Sequence, residues 1–157
     1  MHPGDFKTTD LSLIAQVQDY LGEKLSSLTF KPSLIHRIDK DTSGIVMIAK
    51  TKPSLDVMLK ALQSNKIKKV YLAVCLGIPP ETRGTIKKKL FRLEHAEKEN
   101  KIVLDEEKGQ TAVTHYKVLE KEIHGKYSLV ECVLETGRMH QIRVHLASIG
   151  CPILGDN

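Results

Sequence analysis

His36-Arg37-Ile38-Asp39-Lys40-Asp41-Thr42-Ser43-Gly44 runs directly into Ile45-Val46-Met47-Ile48-Ala49. An arginine, two carboxylates and a turn-forming Thr-Ser-Gly therefore stand just ahead of an apolar run. The run predicts a strand over 45–50 buried on both faces of a sheet. Loops held against a rigid sheet are common places for catalytic groups. A carboxylate beside an arginine in such a loop stays ionised and can be aimed at a substrate.

Working outward, Leu13, Val17, Tyr20 and Leu21 recur at helical spacing behind Asp10, a suitable N-cap. Residues 26–32 read as a loop leading into the motif. Beyond the apolar run, Pro53 suits the first turn of a second helix with Leu55, Met58, Leu59 and Leu62 on one face, ending at Asn65-Lys66. Lys68 to Leu76 alternates strictly, with Val70, Leu72, Val74 and Leu76 on one side and Tyr71, Ala73 and Cys75 on the other. The segment 77–84 contains Pro79-Pro80 and reads as a loop. Residues 85–110 are lysine-rich and predict a short strand and an exposed hairpin. Thr111 to Lys121 and Lys126 to Glu135 predict two strands joined through His124-Gly125. After a turn at Thr136-Gly137, a helix is expected over 138–149, with Gly150 just past its end. Tight connections late in the chain favour antiparallel pairing. The expected class is α+β: a mixed, mainly antiparallel sheet with flanking helices.

Asp39 and Asp41 are the candidate acids or nucleophiles, and their spacing alone does not choose between them. Asp41 also suits a turn-supporting role, with Thr42 and Ser43 bonding to the backbone. The second constellation is Gly137-Arg138-Met139-His140-Gln141-Ile142-Arg143-Val144-His145. On a helical wheel Arg138, Gln141, His145 and Ser148 share the polar side, and Arg143 sits at the border of the apolar stripe. A partly buried arginine needs an anion, for which Asp39 is suitable; another acid or solvent would also serve. Tyr71 is one of four tyrosines in a chain without tryptophan. It reads either as ordinary packing against a helix or as a ring on which a base stacks.

The chain has 157 residues, 41% hydrophobic, about one domain's worth. Its 24 Lys+Arg against 19 Asp+Glu give a formal net charge of +5, which leans toward an anionic partner. Lys66, Lys68 and Lys69, and the run Lys87-Lys88-Lys89, would hold phosphates if they border a cleft and are solvated faces otherwise. Cys75, Cys132 and Cys151 form no C-x-x-C pair and no zinc spacing, as expected of free buried thiols in a reducing cytoplasm. His140 and His145 fit no H-x-x-x-H or H-E-x-x-H pattern, so no metal is expected. The lack of a P-loop or G-x-G-x-x-G argues against a nucleotide cofactor. Ser43 lacks a G-x-S-x-G context. No apolar run approaches the ~18 residues of a membrane span, and Met1-His2-Pro3-Gly4-Asp5 carries no signal-peptide core.

Taken together these blocks resemble the RluA-type RNA pseudouridine synthases. His36-Arg37-Ile38-Asp39-x-x-Thr42-Ser43-Gly44 is similar to their H-R-L-D-x-x-T-S-G signature. Lys69 to Ala73, Gly109 to Thr114, Glu135 to Leu146 and Gly150 to Asp156 match further blocks in the same order. The resemblance implies a cofactor-free isomerisation of uridine to pseudouridine in structured ribosomal or transfer RNA. It makes Asp39 the catalytic aspartate, attacking C1′ or taking the 2′ proton. Arg143 becomes the arginine paired with it, and Tyr71 the aromatic packed on the target base. Arg37 helps to displace the target nucleotide, at a cost of a few kcal/mol that phosphate contacts offset. His36, Thr42, Arg138 and Gln141 complete the implied substrate-binding set. Ile38 for Leu, Met139 for Thr or Ser and Cys151 for His depart mildly from the pattern. The family also has strands before the residues matched by Met1 and after those matched by Asn157. The expectation is therefore one catalytic domain over 1–157, incomplete at both ends and without an S4 module, monomeric and cytoplasmic. The alternative is a truncated, catalytically silent RNA-binding module.

Overall fold

The computed structural model describes residues 12–22, 30–93, 101–123 and 125–156. The chain divides into two compact units, Met1–Ile67 and Lys68–Asn157.

In the first unit, helix α1 (Leu13–Leu21) starts at Ser12, whose hydroxyl accepts the Ala15 N–H at 3.3 Å. The Ser12 side chain thus satisfies one of the donors that a helix start leaves open. Asp10, the cap expected from sequence, lies outside the described residues. Strands β1 (Ser33–Leu34) and β2 (Ile48–Ala49) pair antiparallel, Ser33 opposite Ala49 and Leu34 opposite Ile48. This corrects the expectation of a doubly buried strand over 45–50. Ile45 is 85% exposed, and of that run only Ala49 is buried. Gly44 bends the chain at φ 143°, a conformation that side chains disfavour, so the run enters at an angle to the ladder. The pairing then continues for one more bond, from Ile35 N–H to the Met47 carbonyl at 3.1 Å. Helix α2 (Lys52–Gln63) forms where expected. Thr51 and Ser54 cap it reciprocally, Pro53 occupies its first turn, and Asn65 follows at φ 53°.

The second unit is a five-stranded antiparallel sheet in the order β3-β7-β6-β4-β5. Its strands are β3 (Lys69–Leu76), β4 (Arg83–Leu93), β5 (Lys101–Leu104), β6 (Gln110–Ile123) and β7 (Tyr127–Leu134). The β6–β7 hairpin turns at Gly125, φ 75°; His124 lies outside the described residues. Strand β4 corrects the sequence reading, which gave a loop to residue 84 and a short strand after it. Ile86 and Leu90 are buried at alternate positions, but the lysines at 87–89 hide that period. The run is not one patch: Lys87 and Lys89 point to one face, and Lys88 points to the other between Ile86 and Leu90.

One sheet face carries the core. Ala73, Cys75, Ile86, Tyr116, Val130 and Cys132 form a buried cluster with Leu146 and Cys151, and Tyr71 packs against it. The opposite side of β3 stays open, with Leu72 64% exposed. All three thiols are free and buried. Burial pushes Cys75 to about 11 and Cys132 to about 12, so both remain protonated at neutral pH.

Helix α3 (Gln141–Ala147) is shorter than the expected 138–149. His140 sits in the left-handed region at φ 53°, and the Gln141 N–H closes a turn on the Arg138 carbonyl at 3.2 Å. Arg138 and Met139 are therefore on a turn ahead of the helix. At the other end Gly150 (φ 80°) does occupy the expected position past the helix. Cys151 N–H bonds the Leu146 carbonyl and Gly150 N–H the Ala147 carbonyl, both at 3.0 Å, in a Schellman motif. The chain then returns along the edge of β3, through Leu76 N–H to the Pro152 carbonyl and Leu154 N–H to the Val74 carbonyl, both 2.8 Å. The protein is α+β with a mainly antiparallel sheet, as the sequence indicated. No helix among the described residues is long and apolar enough to cross a membrane.

Candidate active site

The motif loop belongs to the first unit. The Asp39 carbonyl accepts the Thr42 N–H at 3.1 Å, closing a turn over Asp39–Thr42. His36 Nε2 accepts the Met47 N–H at 3.1 Å. That bond ties the front of the loop to the approach to β2. Within the turn Asp39 is half-buried and Asp41 exposed, and Arg37 is exposed while Thr42 is half-buried. The two carboxylates that sequence left equivalent thus have different surroundings. The turn itself is closed by backbone rather than by the Asp41 side chain.

Tyr71, Arg138, Gln141 and Arg143 belong to the second unit. The alternation of β3 puts Tyr71 on the side of Ala73 and Cys75, the face that α3 covers through Leu146. Arg143, on α3, is held by Asp156: its Nε and Nη2 reach the same carboxylate oxygen at 2.7 and 2.6 Å. Both side chains are largely covered, at 35% and 20% exposure, so the pair is charge-assisted and poorly screened. Asp156 is positioned by Gly155 (φ 79°) and by its own N–H bonding the Ile153 carbonyl at 3.1 Å. The sequence reading gave Asp156 no role. Its only signal was the match of the Gly150–Asp156 block.

The polar side of the helical wheel turns out to face inward. Gln141 is 2% and His145 0% exposed. The Gln141 amide donates to the Val113 carbonyl (3.0 Å) and Thr114 Oγ1 (2.9 Å), and its oxygen accepts from Thr136 Oγ1 (2.7 Å) and the Arg138 N–H (3.0 Å). Both amide protons and both lone pairs are used within the protein. Gln141, placed by the resemblance on the RNA side, is here the clamp that joins β6 to the Gly137-Arg138 turn. The Arg138 side chain stays exposed, with Nε donating to the Thr111 carbonyl at 3.3 Å. His145 Nδ1 lies 2.9 Å from Thr114 Oγ1, and its Nε2 has no hydrogen-bond partner among the described residues. Burial, and secondarily the Lys88 ammonium, push His145 down to about 4, so the ring is neutral at pH 7.

This chain belongs to the RNA pseudouridylate synthase family, whose model matches residues 7–148 and so spans both units. The family's members are isomerases. The chain is 42% identical over 126 residues to a Chloroflexus aurantiacus protein named an uncharacterized RNA pseudouridine synthase, covering 80% of this chain and 38% of that one. It is 40% identical over 126 residues to the ribosomal large subunit pseudouridine synthase D of Neisseria meningitidis, covering 80% of this chain and 32% of that one. Among solved structures, human RNA pseudouridylate synthase domain containing 1 superposes with TM-score 0.76 at 26% identity, over 95% of this chain and 60% of that one. The chain thus spans about two-fifths of the length of the curated Chloroflexus relative.

Proposed function

We propose that this protein isomerises uridine to pseudouridine in ribosomal RNA of the large subunit. The carrying observation is the family match over 7–148; the ribosomal assignment rests on the Neisseria relative named for that substrate. In the reaction the N1–C1′ bond breaks, the base turns, C5 bonds to C1′, the hydrogen on C5 leaves as a proton, and N1 takes up a proton. Asp39 starts it by attacking C1′ or accepting the 2′ proton. Arg143 supports the negative charge of the site, Tyr71 packs on the base, and Arg37 helps to hold the nucleotide out of its stack. A half-buried Asp39 on a closed turn and an Arg143 fixed by Asp156 both suit this reading, because a preorganised charge needs little rearrangement during reaction.

The test is tritium release from ribosomal RNA carrying [5-³H]uridine. Wild-type protein is expected to release tritium, and Asp39→Asn to lose at least about a thousandfold in rate, since the acid starts the reaction. Release from Asp39→Asn at the wild-type rate would overturn the aspartate's role. RNA binding by the wild type without any release would favour the silent binding module.

A further inference from the structure

Two cations stand at one end of the sheet. Lys69 is the first residue of β3 and pairs across to Leu134 of β7, four residues before Arg138. The chain between them turns at Gly137, where an added Cβ would lie 3.6 Å from Lys69 Nζ. A side chain there would lie against the half-buried ammonium and cover more of it. Arg138 is fixed at its backbone by the Gln141 oxygen and at Nε by the Thr111 carbonyl. Its position is therefore set by buried structure, with the outer guanidinium nitrogens still exposed. Partial burial, and then the Arg138 charge, hold the Lys69 ammonium below its usual range. Among the described residues of the second unit no carboxylate pairs with either side chain. Glu135, next in sequence, is turned to the opposite face, where it holds His115 Nε2 at 2.6 Å.

Holding two like charges together costs free energy unless an anion lies between them. A phosphodiester suits the geometry: arginine offers paired donors to two oxygens and lysine a compact point charge. We propose that Lys69 and Arg138, spaced by Gly137, form one binding site for a backbone phosphate of the RNA substrate. The site rests on the RNA reading above. It adds Lys69 as a binding residue and gives Gly137 the role of keeping the ammonium uncovered.

The experiment measures binding of the full chain to a ribosomal RNA fragment over a range of salt, with tritium release on the same samples. Lys69→Gln is expected to weaken binding about tenfold and to reduce the slope of log K against log salt by about 1. The doubly substituted Lys69→Gln, Arg138→Gln protein should lose much less than the product of the single losses, because one phosphate is lost only once. Lys69→Arg should restore binding and slope, which separates charge from packing. In Gly137→Val, a side chain over the ammonium should reproduce the Lys69→Gln loss. An unchanged affinity and slope in Lys69→Gln would overturn the site, as would full additivity of the pair. If the wild type binds RNA yet releases no tritium, the synthase reading fails while the slopes still decide the phosphate site. If it binds no RNA, both fail.

Discussion

A buried neutral imidazole makes His145 sensitive to acid. Its folded value is about 4, against about 6.5 for a free histidine. Between those values the unfolded chain binds the extra proton and the folded chain does not. The contribution of the neutral ring is therefore complete above pH ~6.5 and is lost as the pH falls toward ~4, a swing of roughly 3 kcal/mol. In His145→Phe, which does not titrate, the stability measured by urea unfolding should fall less steeply over that window. Parallel profiles for variant and wild type would sink the assignment. The Lys88 charge on β4 adds to the depression, so Lys88→Met should raise the folded value, making the acid loss smaller and ending it at a higher pH. At this scale the sequence offered Asp39, Tyr71 and Arg143 as candidates because each lies inside a distinctive block. Asp156 was not, since no local pattern says which acid thirteen residues on will meet Arg143. Nor was Gln141, whose surroundings come from β6.

Among the elements, the helices and the hairpin strands β6 and β7 were legible because their periodicity is local. Strand β4 escaped because three consecutive lysines obscure its alternation. The start of α3 escaped because a helical wheel assumes a continuous helix, whereas His140 breaks it with a positive φ. Wheel angles counted from Arg138 then turned Gln141 and His145 outward. The Gly109–Thr114 block, recognisable only by resemblance, has a steric reason. A Cβ on Gly109 would run into the Asp105 carbonyl and lie 2.8 Å from the Lys89 backbone, while the Gly109 N–H bonds that same Asp105 carbonyl at 2.9 Å. The turn that brings β5 to β6 passes against β4 with room only for hydrogen. Gly109→Ala should therefore cost about 1–3 kcal/mol, the usual range for overpacking, and lower the Tm measured by calorimetry. An unchanged Tm would mean that this approach relaxes freely.

Burial is uneven among the described residues. Among the described residues, apart from Pro32, Ile35 and Ala49 the buried apolar side chains lie in the second unit, and neither α1 nor α2 has a fully buried residue. Isolated helices of nine and twelve residues are marginal in water, and packing supplies most helical stability. Strand β7, by contrast, is bonded on both sides, to β3 and to β6, and buries Val130 and Cys132 completely. Opening β7 breaks two ladders and exposes the core cluster, so it should require nearly global unfolding. Opening α1 or α2 disturbs much less. Hydrogen exchange should find the slowest amides in the centre of β7 and the facing part of β6, with those of α1 and α2 faster by at least about a hundredfold. The turn that carries Asp39 lies in the first unit, while Arg143 and Tyr71 stand on the second. Uniform protection across both units would show that the Asp39 turn is held by more than its own packing.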